Sequence, residues 1–230
     1  MGKLLIALII IVSTVIIFIL MNRLYIRLSH PFLLPLVTTT IVIISILLMC
    51  NVTYDTYMIG GDWFNHLLGP AVVALAFPLY KQRKVLKDQI VVIIGGVFLG
   101  VLAGMCSGLF LGIVAGLREE LAVSILPKSL TTPVAIQISE ELGGIPALTA
   151  IFVMIAGLTG AILGPFILKF FKITNPVSKG IAMGSASHAI GTSKAFEFGE
   201  LAFSMSSISM TLSAILGSVI GPVILHLLMK

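Results

Sequence analysis

The stretch Ile90-Val-Val-Ile-Ile-Gly-Gly-Val-Phe-Leu-Gly-Val-Leu-Ala-Gly-Met-Cys-Ser-Gly-Leu-Phe-Leu-Gly-Ile-Val-Ala-Gly116 carries no charge, and its glycines at 96, 100, 104, 108, 112 and 116 recur at every fourth position. At 1.5 Å per residue, an α-helix needs about 20 apolar residues to cross a hydrocarbon core of about 30 Å. This run is long enough, and its glycines line one helix face along which a neighbour can approach closely. Residues 4–21, 32–50, 145–168 and 201–229 form four more runs of comparable length. The whole chain follows suit: of 230 residues, 58% are hydrophobic and 10% charged, with a mean hydropathy of +1.17. A soluble domain is about 45–50% apolar and about a quarter charged. The composition therefore excludes a soluble enzyme, a nucleic-acid-binding domain despite the net charge of +5, and a disulfide-built module. It predicts an all-α polytopic membrane protein, a helical bundle forming a single integral membrane domain over residues 1–230, with 201–229 as its C-terminal span.

Cys50 and Cys106 stand far apart in apolar runs and read as small buried hydrophobes, not as a disulfide or a metal pair. The run 4–21 follows Lys3 but ends at Asn22-Arg23 without a small-residue cleavage site, so a retained anchor helix is expected instead of a signal peptide. Bases cluster at Arg23 and Arg27, at Lys81, Arg83, Lys84 and Lys87, and at Lys169, Lys172 and Lys179. The loop 51–62 holds Asp55 and Asp62 and no base. The positive-inside rule makes the basic clusters cytoplasmic, this loop external and the N-terminus external. One span then leads out at 90–116 and one leads back at 145–168. Residues 117–144 must begin and end on the same side, as a re-entrant element.

Three stretches are apolar on average but interrupted, 62–80, 121–144 and 180–199, and function is expected there. Gly69-Pro70-Ala71-Val72-Val73-Ala74 resembles Thr132-Pro133-Val134-Ala135-Ile136. Each Pro is followed by a polar tract and a Gly-rich apolar span, which suggests a repeat around 32–116 and 117–200 of the inverted kind found in carriers with broken helices. Asn65 and Pro70 are the first-half counterparts of the Pro133 region; the alternative is that Pro is merely tolerated in membrane helices. Gly160 with Gly164, and Gly217 with Gly221, repeat the four-residue glycine spacing and read as helix-packing contacts.

Pro127-Lys128-Ser129-Leu130-Thr131-Thr132-Pro133 concentrates helix-interrupting residues. Pro133 has no N–H and disfavours helix at the residue before it, so a half-helix is expected to start there with Thr131 or Thr132 as its cap. A helix start presents free N–H donors and the positive end of the dipole, and Lys128 and the Ser129 hydroxyl strengthen it as an anion site. A second tract, Gly184-Ser185-Ala186-Ser187-His188-Ala189-Ile190-Gly191-Thr192-Ser193-Lys194, is dense in groups that lipid cannot satisfy. Ser185, Ser187, His188, Gly191 and Thr192 are candidates for the wall opposite. His188 either carries a proton or makes an interhelical hydrogen bond. Glu140 and Glu141, if buried, join His188 as coupling-ion candidates; Glu197 and Glu200 read as solvated. Ser185 or Ser187 beside His188 suggests Ser–His chemistry, but no third orienting acid or oxyanion pattern accompanies it, so no enzyme is expected. No metal-ligand spacing or cofactor motif is present.

The chain resembles the LrgB/CidB family of bacterial inner-membrane proteins. The resemblance runs through Met58-Ile-Gly-Gly-Asp-Trp63, Ala76-Phe-Pro-Leu-Tyr-Lys81, Leu126-Pro-Lys-Ser-Leu-Thr-Thr-Pro133, Glu141-Leu-Gly-Gly144 and the tract from Gly184 to Lys194, with Lys128 and Glu140 closer to the CidB-like branch. It implies a multi-pass protein of the bacterial plasma membrane. It also implies one of two jobs: holin/antiholin-like control of murein hydrolase export and autolysis with a small LrgA/CidA-like membrane partner, or carriage of small carboxylates such as pyruvate, glycolate and glycerate. A holin makes nonselective lesions, which require no Pro-broken, hydroxyl-lined, His-bearing cavity. The residues therefore favour a secondary transporter of a small 2-oxo or 2-hydroxy monocarboxylate, coupled to H⁺ in preference to Na⁺, with no cofactor and no nucleic acid. The Gly-rich faces suggest a homodimer.

Overall fold

A computed structural model describes residues 2–28, 33, 35–74 and 76–228. Among them the chain is helical and holds no strand. The helices are α1 (Gly2–Leu28), α2 (Pro35–Met49), α3 (Tyr54–Ala74), α4 (Ala76–Lys81), α5 (Arg83–Asp88), α6 (Ile90–Val114), α7 (Glu119–Ile125), α8 (Thr132–Glu141), α9 (Pro146–Phe170), α10 (Pro176–Ala195) and α11 (Glu200–Leu228). Four stretches, Lys3–Leu28, Ile90–Val114, Pro146–Phe170 and Glu200–Leu228, are long and apolar enough to cross a membrane, and Val37–Met49 is a shorter apolar helix. The chain is an all-α polytopic membrane protein. The expected span 32–50 is seen from Pro35 onward, and residues 32, 34, 75 and 229 lie outside the described residues.

The chain forms two compact units, Met1–Ala71 and Val72–Lys230. In the first, α1 and α3 touch where Gly60 meets Ile10, so closely that a Cβ on Gly60 would stand 2.7 Å from the Ile10 Cβ. The hydroxyls of Thr14 and Tyr57 lie 3.2 Å apart beside this contact. Asn65 is exposed and donates to Asp62 (3.2 Å), and Pro70 sits inside α3 instead of ending it.

In the second unit, α6 and α9 are each 25 residues long, and each is followed by a broken element. Both end on a left-handed residue: Gly116 (φ 68°) after α6 and Lys172 (φ 55°) after α9. In both, the next N–H reaches back to the last turn, Leu117 to the Gly112 carbonyl (3.1 Å) and Ile173 to the Leu168 carbonyl (2.9 Å). α8 ends the same way, with Gly143 at φ 84° and the Gly144 N–H on Ser139.

The element after α6 is a re-entrant hairpin made of α7, a turn at 126–131, and α8. Its depth is read from the α6 glycine face: Gly112 lies against Ala122, Gly108 against Ile125, and Gly104 against Ser129. The tip thus lies near mid-height of α6. At its open end Ser124 accepts from the Ile145 N–H (2.7 Å) and Thr149 donates to Ser139 (2.6 Å), tying both arms to the start of α9.

The element after α9 is α10, and it also reverses. Ser187 (φ −134°, ψ 15°) and His188 (φ 41°, ψ −133°) leave helical geometry. Past them, Gly191 returns alongside Met183 and Ser187, and Phe198 comes back to the Lys179 ammonium, 5.3 Å from its ring. A continuous helix would separate residues 179 and 198 by about 28 Å. The tip rests on α9, with Ser187 against Gly160 and His188 against Gly157. Gly104 and Gly160 hold the same place, the fifteenth residue, in two 25-residue helices. The hairpins enter from opposite ends: α7–α8 opens where α6 ends and α9 begins, α10 where α9 ends. The α11 helix runs beside both, with Ala202 and Ser206 against Gly180 and Gly184, then Gly217 against Leu130 and Gly221 against Ile138. Residues 90–141 and 146–195 thus follow one plan, a long helix and then a reversing element. The apolar core runs through this unit, with Ile93, Met105, Leu126, Leu130, Met205 and Ile208 fully buried.

Charges divide between the two ends of this unit. Lys169, Lys172 and Lys179 lie where α9 ends and α10 opens, with Lys194, Glu197 and Glu200 where α10 returns, and Lys81, Arg83, Lys84, Lys87 and Asp88 precede α6, so bases outnumber acids at this end. Arg118, Glu119, Glu120, Glu140 and Glu141 lie at the other end. These are called the basic and acidic ends below.

Candidate functional site

Between the two tips lies a cavity of about 610 Å³, open on one side where Ala103, Ser107, Ile155, Thr159 and Ala186 are exposed. Gly100, Gly104 and Ser107 of α6 line one side, Lys128 and Ser129 the tip of the first hairpin, Ala186 and Ser187 the tip of the second, and Phe152 to Gly160 of α9 the remaining wall. Most of the lining is apolar, with a few polar groups converging from two broken elements, as in small-molecule sites.

Lys128 is the charged group in this lining. Its Nζ donates to the Gly104 carbonyl (2.5 Å) and reaches Ser107 Oγ at 3.5 Å. Glycine makes this approach possible, since a Cβ on Gly108 would stand 2.9 Å from Nζ. Among the described residues the one ion pair is Lys194–Glu197 (2.6 Å), at an exposed site, so Lys128 has no carboxylate among them. An ammonium has three donors. Two are directed at neutral protein oxygens, which leaves charge and one donor for an anion.

The turn before α8 forms as the sequence predicts. Thr131 (ψ 138°) is the N-cap residue and Pro133 falls in the first turn, where its missing N–H costs nothing. The Thr131 side chain makes no capping bond. Ser129 and Thr131 are buried. Thr131, Thr132 and Pro133 stand immediately past the tip, and the cavity is lined by Lys128 and Ser129 instead.

The second tract divides according to the reversal at 187–188. Ser187 faces the cavity. Ser185 points to α6, where a Cβ on Gly100 would lie 2.8 Å from its Oγ, and it donates to the Ile181 carbonyl (2.7 Å). His188 lies behind the wall, its Nε2 2.9 Å from the Val153 carbonyl and its ring against Gly157. Thr192 points the other way, donating to the His188 carbonyl and lying 2.9 Å from Ser206 Oγ. Gly191 is where the returning arm touches the first. Of the wall expected opposite Lys128, then, Ser187 is on the cavity surface while Ser185, His188, Gly191 and Thr192 hold the tip in shape. Glu140 and Glu141 are exposed at the acidic end of α8 and do not line the cavity. Asn65 and Pro70 belong to the first unit. The lining residues Gly100, Gly104, Phe152, Thr159 and Gly160 carry no chemical signature in sequence; only the four-residue glycine spacing marks three of them.

The LrgB-like family matches residues 14–227. The chain belongs to the LrgB-like family. Among LrgB-like relatives, uncharacterized protein YxaC of Bacillus subtilis (strain 168) is 56% identical over 222 residues, 96% of each chain. Holin-like protein CidB of Staphylococcus aureus (strain Mu50 / ATCC 700699) is 39% identical over 221 residues, again 96% of each. Holin-like protein CidB of Staphylococcus epidermidis (strain ATCC 12228 / FDA PCI 1200) is 36% identical over 227 residues, 99% of each. No solved structure matches this LrgB-like chain.

Proposed function

We propose that this LrgB-like protein is a secondary carrier of a small 2-oxo or 2-hydroxy monocarboxylate, of the size of pyruvate or glycolate. One observation carries the reading: an ammonium without a carboxylate partner among the described residues, Lys128, lines a cavity bounded by the tips of two hairpins that enter from opposite ends. The substrate carboxylate pairs with Lys128 and Ser129, and its 2-oxygen faces Ser187. His188 is the candidate proton carrier. The names of the CidB relatives favour a second reading, a holin-like role; in that reading the protein would act in murein hydrolase export beside a small LrgA/CidA-like partner. A homodimer and a bacterial plasma-membrane location belong to both readings.

Uptake of labelled pyruvate or glycolate into proteoliposomes separates them. A carrier shows saturable uptake, and Lys128→Met raises KM about 10- to 100-fold through loss of a charge-assisted hydrogen bond. A holin-like lesion leaks a large dye as readily as pyruvate and does so equally in Lys128→Met. A regulator without a passage of its own gives no flux at all.

A further inference from the structure

The central cavity continues past Gly100. A second cavity, of about 400 Å³, follows the same face of α6 toward its first turn, between α6 and the outgoing arm of α10. Val92, Gly96, Ser178 and Ala182 line it, and it shares Gly100 and Ala186 with the central one. The two meet at a neck where the Gly100 backbone faces Ser185, with no room for a Cβ between them. The Ser185 hydroxyl is satisfied by the Ile181 carbonyl, so the neck is set by bulk, not by an unmet polar group. In the other direction the glycine face is covered: a Cβ on Gly108 would meet Ile125 at 3.2 Å and one on Gly112 would meet Ala122 at 3.3 Å. By the same measure Gly96 and Gly100 are covered too, by Ile181 (3.1 Å) and Ser185 (2.8 Å), so what distinguishes the basic-end direction is the second cavity itself. Ser178 stands at the far mouth, next to Lys179, in the part of the molecule that also holds Lys169 and Lys172. That charge raises the local concentration of a small anion.

We propose that this second cavity is the route by which a monocarboxylate passes between the Lys128 site and the basic end, with Gly100 and Ala186 forming its neck. The proposal rests on the carrier reading above and adds the side toward which the passage runs. The positive-inside rule makes that side cytoplasmic.

The full-length protein tests it in proteoliposomes, in a Cys50→Ser, Cys106→Ala background that retains uptake. Single cysteines at Ser178, Ala182 and Ala186 are probed with a charged methanethiosulfonate reagent, which reacts only with water-accessible thiols; Val91→Cys, on the exposed apolar face of α6, is the control. All three are expected to react from the basic-end side while the control does not, and saturating pyruvate is expected to slow the reaction at position 186. Ala186→Phe, filling the neck, is expected to abolish uptake while the cysteine at 182 still reacts, which reports an intact fold. Uptake with unreactive cysteines at 182 and 186, or wild-type uptake by Ala186→Phe, overturns the route and leaves the carrier reading standing. A wild-type protein without saturable uptake overturns the carrier reading itself, and the route with it.

Discussion

Gly160 sits where the Ser187 side chain needs the space of a Cβ, so the two positions specify each other. Gly160→Ala is expected to destabilise the protein by about 1–3 kcal/mol through overpacking, whereas Gly95→Ala, with nothing within 4 Å of the new methyl, stays within about 0.5 kcal/mol of wild type. Thermal unfolding in detergent checks both. His188 combines a left-handed backbone with a buried ring bonded to Val153. His188→Ala loses that bond and empties the recess its buried ring fills beside Gly157, an expected loss of about 1–3 kcal/mol in the same assay. Lys128, Ser129 and Ser187 were readable in the sequence because polar groups inside apolar runs announce themselves. Gly104 and Gly160 were not readable as cavity lining, since a glycine's meaning lies in what faces it across space. Nor was it readable that Ser185 and Thr192 turn away, because the side on which a residue falls is decided by the reversal at 187–188.

The two broken elements differ in how openly the chain declares them. The first follows from Pro127 and Pro133 and from the need for residues 117–144 to start and finish on one side; helix α8 begins with Thr131 as cap, as the proline predicts. The second has neither Pro nor Gly at its turning point, Ser187-His188. Its reversal is imposed by packing, because the glycines of α9 offer a recess and those of α11's partner face, Gly180 and Gly184, allow close contact with Ala202 and Ser206. The ties between elements are testable too. Ser124 is the acceptor for the Ile145 N–H at the start of α9. Ser124→Ala strands that donor, with an expected loss of about 1–3 kcal/mol and faster amide exchange at 145.

For the molecule as a whole, composition alone decides the solvent, and the glycine-spaced runs decide the bundle. The expected repeat rests on the local similarity of Pro70 to Pro133; the symmetry between 90–141 and 146–195 is a separate feature, which lies in the depth at which Gly104 and Gly160 meet their tips. Topology reporters offer a check on this symmetry: fusions after Leu117 and Gly144 are expected to report one side, and fusions after Lys172 and Gly199 the other, each pair unchanged by the hairpin between. The opposed hairpins also constrain how the protein is made. No single arm is long enough to cross a bilayer, and each turn exposes polar backbone that lipid cannot satisfy. The segment 119–141 can therefore settle only once α9 has been synthesised and stands beside α6, and 176–195 only once α11 has followed. Insertion of this protein must run partly behind translation, with each half waiting at the membrane surface for the helix that will shelter it.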